Sequence, residues 1–166
     1  SFQIAQALLN QFVENKHNIA LVERVAAVLA DVFSKQKKVL ICGNGGSACD
    51  AMHFAEEFTG RFRSERPPLP VISLTDASHI TCVGNDYGFE QIFSRGVQAY
   101  GNEGDVLMVL STSGNSENII RAVDAAKQKG LLTIALLGKS GGKLLDSCDY
   151  QFVIPGETSD RIQELH

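Results

Sequence analysis

The chain has 166 residues, of which 44% are hydrophobic and 20% charged, with a formal net charge of −4. That is enough apolar chain for one domain with its own core, and too ordinary a composition for a disordered or disulfide-stapled protein. Scattered Lys and Arg give no footprint for nucleic acid, no apolar run reaches the ~18 residues of a membrane span, and no signal-peptide pattern opens the chain.

In chain order, Ile4, Leu8 and Phe12 recur at helical spacing over residues 3–15, and Ile19, Val22, Ala26, Leu29 and Val32 do so over 19–34. Two amphipathic helices therefore precede the first strand, either covering one face of a sheet or forming a subunit contact. A small basic patch at Lys35, Lys37 and Lys38 reads as a solvated helix end. From there strands and helices alternate: KVLIC (38–42) is a strand, 47–62 a helix and PVISL (70–74) a strand. A short helix spans 76–82, a turn falls at GNDYG (84–88), and 89–100 is helical. DVLMVLS (105–111) is a strand, 117–129 a helix, LLTIALLG (131–138) and YQFVI (150–154) strands, and SDRIQELH (159–166) opens a last helix with Ser159 as N-cap. This alternation predicts an α/β fold: a doubly wound, five-stranded parallel sheet in a three-layer αβα sandwich, with an N-terminal helical pair over 1–36. Ligands of such sheets bind at the carboxyl ends of the strands, near the switch in strand order. Four cysteines, Cys42, Cys49, Cys82 and Cys148, lack paired spacing and fit reduced thiols in a cytoplasmic protein.

Two of the strand-to-helix loops share a chemistry. GNGGS (43–47) offers glycines that let backbone amides approach an anion at a helix N-terminus. STSGNS (111–116) adds hydroxyls from Ser111, Thr112, Ser113 and Ser116 around Gly114, more than capping a helix needs. GNGGS alone is equally compatible with an ordinary turn. Neither loop ends in the GK[ST] of a nucleotide P-loop, and the first lacks the third glycine of GxGxxG, with Asp50 near its place. A small sugar phosphate is thus favoured over a nucleotide.

The helix after the first loop carries His53 and Glu57 at i, i+4, on one face, with Asp50 a turn earlier. The spacing suits a metal pair or a catalytic pair, although such pairs are also common as plain surface contacts. Beside a phosphate loop, it suits an aldose–ketose isomerisation. A carboxylate takes a carbon-bound proton, a divalent metal polarises the carbonyl, and the phosphate clamp fixes the far end of the sugar.

CGNGGSACDAMHFAEEFTGRF, SHITCVGNDYGF, STSGNS and DRIQELH, in this order, resemble the bacterial phosphoheptose isomerases of the sugar isomerase (SIS) superfamily, over essentially the whole chain. The resemblance implies a single SIS domain over 1–166. It implies conversion of D-sedoheptulose 7-phosphate to D-glycero-D-manno-heptose 7-phosphate for lipopolysaccharide core heptose, in a cytoplasmic homotetramer with active sites at subunit contacts and zinc as cofactor. By motif, Asn44, Gly45, Gly46 and Ser47 line the sugar-phosphate site, and Ser111, Thr112, Ser113 and Ser116 hold the phosphate. Asn85 and Asp86 contact the sugar, and Glu57 is both catalytic base and metal ligand. His53 and Gln163 are further metal ligands, Gln163 also facing substrate, with Arg61 in support. The resemblance places a fourth ligand, a histidine that also serves as general acid, eight residues after Gln163. The chain stops at His166, so that ligand is expected beyond its end and the last helix is expected to be cut short; His166 itself could substitute.

Two other readings stay in view. A non-catalytic SIS paralogue binds the replication initiator but lacks the HFAEE segment that carries His53 and Glu57 here. A sugar-phosphate sensor, or an isomerase of a shorter sugar such as arabinose 5-phosphate, shares the loops; those relatives usually carry further domains or a different acid/base arrangement.

Overall fold

Along residues 39–43 the side chains alternate between two apolar surroundings: Val39 and Ile41 pack on one side, Leu40 and Cys42 on the other, and all are buried. A strand buried on both faces needs helices on both, and the computed structural model, which describes residues 1–166, supplies them. The strands are β1 (Val39–Gly43), β2 (Val71–Ser73), β3 (Val106–Ser111), β4 (Leu132–Gly138) and β5 (Tyr150–Ile154). They form one parallel sheet in the order β2-β1-β3-β4-β5. The helices are α1 (Phe2–Glu14), α2 (Lys16–Ser34), α3 (Gly46–Thr59), α4 (Ala77–Tyr87), α5 (Ile92–Tyr100), α6 (Glu117–Gln128) and α7 (Ser159–Gln163). This is the α/β, doubly wound five-stranded sandwich expected from the alternation of elements.

One core cluster joins Leu40, Leu107 and Val109 to Val83 of α4, Phe93 and Val97 of α5, and Ile119 and Val123 of α6. The opposite cluster joins Val39, Ile41, Val106 and Met108 to Val25, Leu29 and Val32 of α2 and to Ala51 and Ala55 of α3. A third, small cluster ties α1 to α7 through Leu8, Ile154 and Ile162. α1 enters it through buried Leu8 and half-buried Phe12. Phe2, Leu9 and Val13, seven and four residues apart and so on one helical face, are left exposed, Phe2 at 92%. No helix is long and apolar enough to cross a membrane.

Four local readings change. The helix expected over 47–62 ends at Thr59, because Gly60 closes it and the Arg66 guanidinium donates to the carbonyls of Glu57 (2.6 Å) and Phe58 (3.0 Å). These are carbonyls the helix itself leaves unpaired. The turn expected at 84–88 is instead the end of α4. Asp76 caps that helix by accepting from the His79 amide at 2.8 Å, and burial of Val83 carries it on to Tyr87 before Gly88, at φ +95°, stops it. Residues 89–91 form a 3₁₀ turn ahead of α5. At α7 the N-cap is Thr158, not Ser159, and the α-helix ends at Gln163.

Candidate active site

In this strand order the switch lies between β1 and β3, whose chains leave their carboxyl ends toward opposite faces: β1 into α3, β3 into α6. A crevice opens there. It holds a pocket of about 180 Å³ lined by Asn44, Ser47, Leu110, Ser111, Thr112, Ser113, Ser116, Ser159 and Gln163. Both glycine- and serine-rich loops thus meet in one place. A larger groove of about 500 Å³ lies between α1 and residues 155–161. It lacks this convergence of hydroxyls at the strand ends, where ligands of such sheets bind.

The first loop turns into α3 through Gly45 at φ +57°, a left-handed conformation open to glycine at little cost. At Gly46 the reason for glycine is space: a Cβ there would lie 2.7 Å from the Gln163 amide. Gln163 reaches across from α7 and its Nε2 donates to the Ser47 hydroxyl at 3.3 Å. In the second loop Gly114, at φ +63°, lets its amide donate back to the Ser111 hydroxyl at 3.1 Å, and the Asn115 amide donates to the Ser113 hydroxyl at 3.2 Å. Ser116 is the N-cap of α6 yet its hydroxyl makes no capping bond. Thr112 and Ser159 hydroxyls pair at 3.0 Å, tying this loop to α7. The segment after β4 braces it from behind: the Leu144 amide donates to the Gly114 carbonyl at 3.1 Å and the Lys143 amide to Asn115 Oδ1 at 3.0 Å. A Cβ on Gly114 would run into the Gly141 carbonyl oxygen.

His53 and Glu57 project together from α3, Nε2 to Oε1 3.3 Å, with Glu56 Oε1 3.7 Å from the same nitrogen. Ligand atoms of His53, Glu56 and Glu57 all lie within 4.8 Å of one another, a spacing that fits a divalent cation. Glu56 was not singled out by sequence. One chain does not bring Gln163 to this pair. Its amide packs on Gly46, eleven residues before Glu57, or roughly 16 Å along the helix at 1.5 Å per residue. Asn85 and Asp86 sit on the exposed last turn of α4, bonded to each other at 2.7 Å, outside the switch-point pocket. Arg61 pairs loosely with Glu65 at 3.5 Å in the segment after α3. His166 is turned inward, its Nε2 3.2 Å from the Leu137 carbonyl. Burial pushes its pKa down, against the opposing pull of that carbonyl and of the Asp50 charge. His166 Nδ1 and Asp50 Oδ2 are both buried without a hydrogen-bond partner. Beside the pocket, the Thr158 hydroxyl and then Arg161 hold the Asp160 carboxyl down, at about 2.

The SIS domain family matches residues 2–138. A phosphoheptose isomerase of Fusobacterium nucleatum is 63% identical over 166 residues, covering 100% of this chain and 86% of that protein. The chain belongs to the phosphoheptose isomerases. The Shigella dysenteriae member of the family is 54% identical over 165 residues, 99% of this chain and 85% of its own length. The structure of the Neisseria gonorrhoeae phosphoheptose isomerase superposes with a TM-score of 0.92 at 39% identity, over 99% of this chain and 88% of that one. The Francisella tularensis phosphoheptose isomerase gives 0.86 at 40%, over 97% and 89%.

Membership does not by itself explain the pocket. The sequence marks neither Asn118 nor Glu56, and Ser159 only as a helix cap, yet the first supports the pocket, the second sits beside Glu57 and the third lines the pocket. Asn118 carried a readable signal. With Ala122 and Ala125 it falls at i, i+4, i+7 on the apolar stripe of α6, where an amide needs a partner. Ser159 carried none, since only the docking of α7 brings its hydroxyl to Thr112.

Proposed function

We infer that the switch-point pocket holds the phosphate of a ketose whose other end is worked on by Glu57. The protein is an aldose–ketose isomerase that converts D-sedoheptulose 7-phosphate to D-glycero-D-manno-heptose 7-phosphate for heptose biosynthesis. The observation that carries the pocket assignment is the convergence of Ser111, Thr112, Ser113 and Ser116 with Asn44 at the β1/β3 switch, with the Ser116 hydroxyl left unused by its helix.

Glu57 removes a proton from C1, the C–H electron pair becomes the C1=C2 bond, and charge gathers on the C2 oxygen. Glu57 returns that proton to C2 while the O1 proton passes to the C2 oxygen, which gives the C1 aldehyde and a C2 hydroxyl. No atom is gained or lost. The serine loop contributes positioning, since remote binding of the phosphate fixes the reacting carbons. Asn44, Gly45, Gly46 and Ser47 form the facing wall, and Asn85 and Asp86 contact the sugar. His53, Glu57 and Gln163 would hold a zinc ion, which would polarise the carbonyl and steady the enediolate charge. Because Gln163 of one chain lies far from its own Glu57, those ligands come from different copies. The exposed stripe of Phe2, Leu9 and Val13 supports such an assembly, a homotetramer of single SIS domains over 1–166. Its free cysteines fit a cytoplasmic setting, and the heptose product fits the lipopolysaccharide core.

The test is turnover with zinc on five-, six- and seven-carbon ketose phosphates. Preference for the seven-carbon substrate is expected. Faster turnover of the five-carbon phosphate overturns the substrate, and no turnover of any overturns the enzyme reading.

A further inference from the structure

Asn118 is the second residue of α6 and is 3% exposed. A carboxamide buried at that depth must have its hydrogen bonds met. It finds one partner, Asn44. Asn44 Nδ2 donates to Asn118 Oδ1 at 2.9 Å, and Asn118 Nδ2 donates to Asn44 Oδ1 at 2.9 Å. The two amides close a ring across the switch point. They join the loop that leads into α3, on one face of the sheet, to the first turn of α6 on the other.

The geometry fixes what this does. Asn44 lines the pocket; Asn118 does not. Once paired, Asn44 keeps one N–H and one lone pair, and the ring holds both in a set direction. An unpaired Asn44 side chain would be free to swing about its own torsions. The same ring pins the distance between the serine loop and the start of α3.

We propose that Asn118 is a positioning residue of the isomerase: through its reciprocal amide pair it orients Asn44 toward the sugar phosphate and sets the spacing of the two loops. This rests on the isomerase reading above, and the experiment separates the two. Asn118→Leu removes both bonds at similar volume. Asn118→Asp keeps the shape and puts oxygen against Asn44 Oδ1, so it serves where the leucine variant does not fold. Each is combined with Asn44→Ala, and kcat, KM and the calorimetric Kd for sedoheptulose 7-phosphate are measured with zinc present. In the wild-type background each Asn118 replacement is expected to lower kcat/KM at least ~10-fold, as misplacement of a binding group does. In the Asn44→Ala background the same replacement is expected to cost less than about twofold, because coupled residues are not additive. Equal losses in both backgrounds would show that Asn118 acts through packing alone, and no loss in either would show that the pair is idle; each overturns the proposal. If the wild-type chain binds the sugar phosphate without turning it over, the isomerase reading falls, and the same cycle in Kd still decides the pair.

Discussion

The two edges of the sheet use similar polar residues to opposite ends. At the amino edge everything is paired off. Asp105, 1% exposed, accepts the Lys38 ammonium at 2.5 Å, the Lys38 amide at 3.0 Å and the Asn102 amide at 2.8 Å. Asp149 likewise accepts the amide and the hydroxyl of Thr133, each at 2.8 Å. At the carboxyl edge the polar groups are held in place but not used up: the Ser116 hydroxyl is free of its helix, and Asn44 keeps half its bonding capacity. A group whose bonds are all met by the chain contributes to the fold. A group held rigid with a bond to spare is prepared for a ligand.

That contrast can be broken at either edge. The largest expected effect is at the amino edge. Asp105→Asn leaves the Lys38 charge without its partner and should cost about 3 kcal/mol of stability by denaturant titration, with KM unchanged. Burial raises the Asp105 pKa, but the Lys38 side chain, the Lys38 amide and the Asn102 amide outweigh it and hold the value below normal. A depressed carboxylate stabilises the fold fully above its unfolded pKa, about 3.9, and that contribution is lost as pH falls through the folded value. Wild-type stability should therefore decline below about pH 4, and the Asp105→Asn protein should lack that component of the decline. A variant as stable as wild type would dissolve the distinction between the edges.

Next comes Glu57→Gln, which keeps shape and removes the carboxylate we propose as the base. Turnover kcat should fall about 10²-fold or more, while the melting temperature stays within about 2 °C, as for a surface change away from the core. Near-wild-type turnover would remove Glu57 from the chemistry. The smallest effect is at the serine loop. Ser113→Ala should raise KM roughly 10-fold with little change in kcat, the pattern of lost uniform binding. An equal effect on an unphosphorylated heptulose would mean that the serine holds something other than phosphate.

The loops GNGGS and STSGNS could be read in the sequence because each follows a run of buried β-formers and opens an amphipathic helix; the signal is local. His53 and Glu57 were legible for the same reason, as helical periodicity alone puts them side by side. The continuation of α4 through Asn85 and Asp86 was not, since turn-like residues (Gly84, Asn85, Asp86) were outvoted by burial of Val83 against another element.

By itself, then, the amino-acid sequence determined the αβ alternation, the glycine- and hydroxyl-rich make-up of two strand-to-helix loops and the His–Glu pair, because each depends on residues within a few turns of one another. The tertiary structure alone decided that the two loops share one crevice, that Asn118 locks Asn44 across it, and that Gln163 lies near Ser47 and away from Glu57. Those facts follow from strand order and helix docking, which are set by the joint burial of side chains far apart in the chain, and no local pattern encodes that sum.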